Sequence, residues 1–237
     1  AGAVVAGTSV AAASISQQAR AEEESSWLPQ TWDEEANIVI VGCGAAALSA
    51  AIQANIDGDE DVLVLEAAPE QYAGGNTRVS GGLVFLPDNP EDALAYQQAL
   101  NCEYKVDEDI LEAWAQGVCG NMEWLTNEMG LDMVPSGFSS PEFPGLPGGE
   151  HVVTYIVNGT GGGSGLWQPL YDDAIARGTR MLFDTRVTEL IFEPSTREVY
   201  GVRSEDGRTF KARKGVILAL GGFTNNQDMI QDYFCGG

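Results

Sequence analysis

The stretch Asn37-Ile-Val-Ile-Val-Gly-Cys-Gly-Ala-Ala-Ala47 decides the fold. Asn37 leads four apolar, β-branched residues, the pattern of a strand buried on both faces of a parallel sheet. The run passes straight into Gly42-Cys-Gly44, and Ala45–Ile56 (AAALSAAIQANI) reads as a helix closed by Asp57-Gly58. A second buried strand, Asp61–Leu65 (DVLVL), ends at Glu66. Strand, glycine turn, helix and strand within about 30 residues form a βαβ unit. G-x-G-x-x-G/A alone is a weak signal. Here it follows a strand, opens a helix and has a carboxylate at the tip of the next strand, which are the contexts of a dinucleotide fingerprint. Gly42 permits the tight turn, Gly44 lets the backbone approach a pyrophosphate, and Ala47 keeps helix and strand close. The helix N-terminus offers unpaired N–H groups and a positive dipole end to phosphates. Glu66 is placed to accept hydrogen bonds from both ribose hydroxyls, and its charge disfavours a 2′-phosphate, hence NADP.

A second glycine-rich segment follows closely: Gly74-Gly75-Asn76-Thr77-Arg78-Val79-Ser80-Gly81-Gly82. Its four glycines allow a backbone that lies flat against a ring and a pyrophosphate. Asn76, Thr77 and Ser80 supply donors. Nicotinamide dehydrogenases have little need of such a loop, so it points to another dinucleotide.

Further along, residues 90–133 read as helical, with apolar spacing strongest over 107–117 and 121–129 and a C-cap at Gly130. Residues 135–149 are a Pro/Gly loop. A third glycine loop, Gly159–Gly165, precedes a helix over 166–177. Short strands are expected at 180–183, 187–192, 199–203 and 209–212, with a hairpin turn at Glu205-Asp-Gly207. A last apolar strand over 216–219 ends in Gly221-Gly222. The fold class is α/β: a parallel sheet of 37–41, 61–65, 180–183 and 216–219 in a three-layer arrangement, carrying a small antiparallel meander over 187–212.

Composition bounds the function. With 237 residues and 44% hydrophobic content the chain can fill a sizeable core. Twelve Lys+Arg against 35 Asp+Glu give a net charge of -23. That excludes binding to nucleic acid or anionic lipid by bulk electrostatics. The acidity is concentrated: Arg20, Arg78 and Lys105 are the only cations before residue 171. The four cysteines (43, 102, 119, 235) form no C-x-x-C pair, and with His151 the single histidine, no metal site is expected. Cys43 reads as a small buried filler; Cys102 and Cys119 are a possible bridge. His151 reads as a loop residue.

The ends carry their own signals. Residues 1–15 (AGAVVAGTSVAAASI) resemble the apolar part of a secretory signal without its basic start, with Ala19-Arg20-Ala21 or Ala11-Ala12-Ala13 as a cleavage site. Export to the periplasm or cell envelope is expected, with the cytoplasm as the alternative. Residues 22–36 read as an acidic linker whose Trp27 and Trp32 fold back onto the domain. The division expected is 1–35 for signal remnant and linker, and 36–237 for the cofactor domain.

Taken together, Ile40–Ala47, Glu66, Gly74–Gly82, Trp124-Leu125 before Gly130, Gly161–Leu170, the strand around Val187 and Val216–Phe223 resemble one family. It is the flavin subunit of fumarate reductase and flavocytochrome c, with the related 3-ketosteroid dehydrogenases and urocanate reductases. The resemblance covers roughly residues 36–230 and implies a Rossmann-like FAD-binding domain of the glutathione-reductase type. It implies that Gly42, Gly44, Ala46 and Ala47 hold the pyrophosphate and Glu66 the adenosine ribose. Gly74, Gly75, Asn76, Thr77, Ser80, Gly81 and Gly82 would then approach the diphosphate and flavin, Val187 the adenine through its backbone, and Ala219 and Gly221 the far side of the adenosine pocket. Quinone-linked members carry a histidine after the glycine loop that bonds the flavin covalently; here Asn76-Thr77 stand at that place, so non-covalent FAD is expected. In the family the cap domain and the residues that clamp substrate and donate a proton follow the strand at 216–219. The chain therefore reads as the N-terminal FAD-binding part of a flavin-dependent oxidoreductase, inactive on its own, with the catalytic acid or base beyond residue 237. The implied chemistry is hydride transfer between flavin N5 and a C=C bond activated by a carboxylate or ketone, with an electron-transfer protein as a further partner. The alternatives are a 3-ketosteroid dehydrogenase-type enzyme and a non-catalytic flavin-binding or electron-carrier module.

Overall fold

The computed structural model describes residues 27–137 and 143–233. The signal-like segment, both suggested cleavage sites and Cys235 lie outside the described residues.

Four strands build the parallel part of the main sheet. They are β1 (Glu34–Val41), β2 (Val62–Leu65), β6 (Arg180–Leu182) and β9 (Thr209–Leu218). The sheet continues antiparallel through β8 (Val199–Ser204) to β7 (Val187–Phe192), giving the order β6-β2-β1-β9-β8-β7. Register pairs Val41 with Leu65 on one side and with Leu218 on the other, while Leu65 pairs with Leu182. All four parallel strands thus end level. The strand order reverses around β1, so a crevice opens beyond their carboxyl ends, the place where open α/β sheets bind ligands.

Side chains alternate across the sheet, so each face has its own core. Ile40, Val62 and Val64 face α1 (Ala45–Ile56) and α5 (Gly163–Ala176), where Leu48, Ile52 and Leu170 are fully buried. Val39, Val41, Leu63 and Leu65 face the other way, onto Val202 and Phe210 of the meander. Truncating Leu48 or Ile52 to Ala would cost about 2–5 kcal/mol. α1 is narrow because it is rich in Ala, which lets its axis lie close to β1. The remaining elements are α2 (Gly75–Val79), β3 (Val84–Pro87), α3 (Pro90–Leu100), α4 (Glu108–Glu123), β4 (Met133–Pro135), β5 (Val152–Val157) and α6 (Gln227–Tyr233). Asn89 caps α3 by accepting from the Asp92 N–H at 2.8 Å. α4 runs into a π-helical turn, Trp124–Glu128, tied to α1 by the Trp124 indole N–H on Gln53.

The structure differs from the sequence reading at several points: β1 begins at Glu34, inside the expected linker, and residues 101–107 break the helical run expected over 90–133, which ends in β4. The expected strands over 209–212 and 216–219 are one strand, β9. The Arg213-Lys214-Gly215 interruption is held extended by ion pairs to Glu35, Asp61 and Asp59 across the strand starts. The second glycine segment is not all loop, since α2 forms inside it after Gly74 turns left-handed at φ +110°. A three-stranded sheet, β3-β5-β4, was not foreseen; β5 (VVTYIV) is β-branched enough to be read as a strand, whereas β3 and β4 each end in proline and are too short to stand out. Cys102 and Cys119 are both free thiols, not a bridge. Trp27 and Trp32 do pack on the domain. Trp27 meets the Tyr200 ring at 5.4 Å, and Trp32 lies where a side chain on Gly201 would stand.

Candidate functional site

A cleft of about 600 Å³ opens at the carboxyl ends of β1, β2 and β9. Its floor is the fingerprint turn. Gly42 has φ +106°, and a Cβ there would run into the carbonyl oxygen of Ala219. The turn is fastened on both sides. Gly42 N–H donates to Leu65 O at 2.8 Å, and Ala219 N–H donates to Val41 O at 2.9 Å. Only glycine satisfies both the angle and the approach.

Gly44 is the N-cap of α1 and has no capping side chain of its own. The cap comes from elsewhere in the chain: Thr77 Oγ1, on α2, accepts from Ala45 N–H at 2.9 Å. A Cβ on Gly44 would meet the same hydroxyl at 3.3 Å. Leu48 N–H already bonds Gly44 O at 3.0 Å. Ala46 is therefore the first-turn amide that faces the cleft, at the positive end of the helix dipole, with Ala47 buried behind it.

Glu66 forms one wall. Its backbone is fixed between strands, with N–H on Leu182 O at 2.9 Å and C=O accepting from Thr185 N–H at 2.8 Å. One carboxylate oxygen, Oε1, accepts from Ala68 N–H at 2.8 Å. The carboxylate is thus oriented, with Oε2 available to a hydroxyl pair. The opposite wall is Ala219, Leu220 and Gly221, the last at φ +78°. Val187 lies at the end, where β7 pairs with Ser204 of β8.

Of the residues picked out from sequence, Gly42, Gly44, Ala46, Glu66, Gly75, Asn76, Thr77, Val187, Ala219 and Gly221 line this cleft. Ala47, Gly74, Ser80, Gly81 and Gly82 do not. Ala47 is buried beneath the floor against the sheet. Gly74 lies under the Trp167 ring, and a Cβ on Gly82 would meet the Gly162 carbonyl oxygen at 2.6 Å. Ser80 folds the loop on itself, its hydroxyl donating to Thr77 O and accepting from Gly82 N–H. Thr185, Arg186, Gly222 and Asn225 line the cleft and were missed. Thr185 and Arg186 precede Val187 directly, so the strand entry as a whole was the available signal. Nothing in the sequence marks Asn225.

Cleft chemistry is that of binding. Burial pushes the Cys43 thiol up to about 12, reinforced by the Glu66 charge, so it stays protonated and inert as a nucleophile. His151 is remote from the cleft. Its Nδ1 faces Asp88 at 3.3 Å, and its Nε2 faces Asp92 at 3.6 Å and Glu150 at 3.7 Å. Asp88, Asp92 and His151 lie near enough together to suit a cation. The Asp88 hydrogen bond and the neighbouring carboxylates raise the His151 value above its ordinary one, and the ring sits in the turn before β5, between Asp88 and Asp92.

A cradle without side chains, an open helix N-terminus at Ala46 and an oriented carboxylate fit a dinucleotide whose diphosphate crosses the helix end and whose ribose meets Glu66. The family profile described as "FAD binding domain" matches residues 37–235. The chain belongs to the FAD-binding domain family. Its cofactor is FAD. Among curated relatives, this FAD-binding domain is 28% identical over 219 residues to the acrylate reductase flavoprotein subunit of Shewanella woodyi, covering 84% of the chain and 41% of the relative. It is 29% identical over 223 residues to the urocanate reductase of Eggerthella lenta, covering 86% and 34%. The crystal structure of 3-ketosteroid-Δ4-(5α)-dehydrogenase from Rhodococcus jostii, in complex with 4-androstene-3,17-dione, superposes with a TM-score of 0.73 at 26% identity, covering 88% of the chain and 50% of that structure. The domain thus spans roughly a third to two-fifths of the length of these curated relatives. A flavocytochrome c3 fumarate reductase in its open conformation shares the fold, with a TM-score of 0.70 at 22% identity.

Proposed function

We propose that the chain provides the FAD-binding part of an oxidoreductase that reduces, or in reverse forms, a C=C bond conjugated to a carboxylate or ketone. The observation that carries this is the cleft itself, with Gly42 against Ala219, Thr77 capping α1 and Glu66 held by Ala68, in a chain whose relatives are named for acrylate and urocanate reduction. The flavin, when bound, supplies the hydride-accepting and hydride-donating centre.

The chain's own residues bind and orient. The Ala46 amide at the start of α1 neutralises diphosphate charge, and Glu66 fixes the ribose. Asn76 and Thr77 on the short helix α2 close the loop towards the ring. We propose that binding is non-covalent: the single histidine, His151, is held by Asp88 and Asp92 away from the cleft, and Asn76-Thr77 occupy the loop. The acid or base for substrate belongs to a part of the relatives that this chain does not span. Two further proposals rest on sequence alone. Export follows from the apolar, uncharged residues 1–15. An electron-donor protein follows from the need to reduce the flavin again after each turnover.

The test is anaerobic. The FAD-loaded protein is photoreduced and mixed with acrylate, urocanate, fumarate or a 3-keto-4-ene steroid, and flavin reoxidation is followed. Reoxidation with formation of the saturated product supports the reading, and the responding acceptor names the substrate class. Tight FAD binding with no response to any acceptor agrees with an acid or base supplied from outside this chain, whereas reoxidation without a saturated product argues against C=C chemistry. Failure to bind FAD overturns the reading altogether.

A further inference from the structure

One side chain outside the cleft touches both glycine segments that shape it. Trp167, on α5, is 3% exposed. Its indole N–H donates to Cys43 O at 2.8 Å, inside the Gly42–Gly44 turn. The same ring lies where a side chain on Gly74 would stand, 2.8 Å from that position. Arg78, one helical turn further on, places its guanidinium over the ring at 4.9 Å and donates to Gln71 O and Ala73 O at 2.9 and 3.1 Å. Trp167 is also stacked on Tyr171 at 4.9 Å, and Tyr171 donates to Glu70 Oε1 at 3.0 Å.

We infer that Trp167 is a positioning residue for the diphosphate seat: a post that sets the spacing between the fingerprint turn and α2, so that Thr77 Oγ1 meets the Ala45 N–H and the adjoining Ala46 amide stays aimed at the ligand. The physical reason is the shape of the contacts. The Cys43 carbonyl is buried and has the indole N–H as its partner, so the turn cannot rotate without leaving a buried acceptor unpaired. Gly74, being without a side chain, lets the ring come against the backbone that begins α2. Arg78 adds a cation–π contact that ties α2 to the same ring. Movement of either segment is therefore transmitted to the other through one rigid indole. The effect falls on the diphosphate, because Cys43 and Thr77 flank the helix end, whereas Glu66 is held separately by Ala68, Leu182 and Thr185.

The inference rests on the FAD reading of the cleft, and the experiment separates the two. Calorimetric titration of the 237-residue chain with FAD, ADP and adenosine is compared between wild type, Trp167→Phe and Arg78→Met. Trp167→Phe keeps an aromatic filler but removes the N–H. The expected result is about tenfold weaker binding of FAD and of ADP, the two ligands with a diphosphate, with adenosine unchanged within twofold. Arg78→Met, on a partly exposed side chain, moves the same two ligands in the same direction by about threefold, and it carries the test should Trp167→Phe not fold. Equal weakening of all three ligands would show general packing and overturn the inference. So would unchanged affinity in both variants while wild type binds FAD. Wild type that binds neither FAD nor ADP would overturn the FAD reading and the inference with it.

Discussion

The carbonyl oxygen of Ala219 occupies the space in which a side chain on Gly42 would have to stand. Two strands remote in sequence, β1 and β9, are thereby locked at their carboxyl ends, and the cleft floor is a backbone-on-backbone contact. Gly42→Ala is expected to destabilise the chain by about 2–5 kcal/mol, from a left-handed angle unfavourable for alanine plus the steric clash. Urea denaturation measures the first effect, and flavin content after gel filtration should fall to near zero.

The cap on α1 is borrowed from α2. Thr77→Val keeps the shape and removes the oxygen that holds the Ala45 N–H at 2.9 Å. A loss of about 1 kcal/mol in stability and about fivefold in FAD affinity is expected, with Thr77→Ser close to wild type. Asn76→Ala beside it should weaken FAD without a change in stability, because Asn76 is exposed and lines the cleft. Fluorescence titration reads both. Unchanged binding in Asn76→Ala would remove that residue from the site.

Glu66 recognises one half of the ligand. Glu66→Ala should weaken FAD about tenfold, corresponding to about 1.4 kcal/mol, and leave FMN binding unaffected, because FMN lacks the adenosine. A parallel loss for both flavins would place Glu66 elsewhere in the mechanism of binding.

Stability should depend on pH through two groups at opposite ends of the scale. Hydrogen bonds from Lys214 and then Asn37 hold the buried Asp59 carboxyl below its ordinary range. That stabilisation is present above the unfolded value and is lost as pH falls below about 4. The Asp88 hydrogen bond and neighbouring carboxylates raise the His151 value above 6.5. That contribution is complete below 6.5 and disappears as pH rises through the elevated folded value. Asp59→Asn should flatten the acid limb of a stability–pH curve, and His151→Gln the neutral one. If each variant runs parallel to wild type, these groups do not govern the profile.

Much of the site was legible because its chemistry is local. The fingerprint, α1 and Glu66 fall within one βαβ unit, where strand hydrophobicity, glycine spacing and helix composition agree. What escaped is non-local. β9 looked like two strands because the polar Arg213-Lys214 step is stabilised by carboxylates on β1 and beside β2, which sequence distance hides. α2 looked like loop because its glycines at 74 and 75 disfavour a helix in isolation, while packing on α5 selects one. The acidic excess of the first 170 residues is partly answered in the same way: Arg180 and Arg213 from the last third pair with Glu34, Glu35 and Asp61 of the first.

The central claim is that the cleft between Gly42, Glu66 and Ala219 holds FAD without a covalent bond. The most direct measurement is flavin stoichiometry: the chain is saturated with FAD, separated from free ligand, denatured by heat and centrifuged. The account predicts one flavin per chain, all of it released to the supernatant and eluting as intact FAD. Protein that emerges without flavin, or flavin that stays with the precipitate, would contradict it.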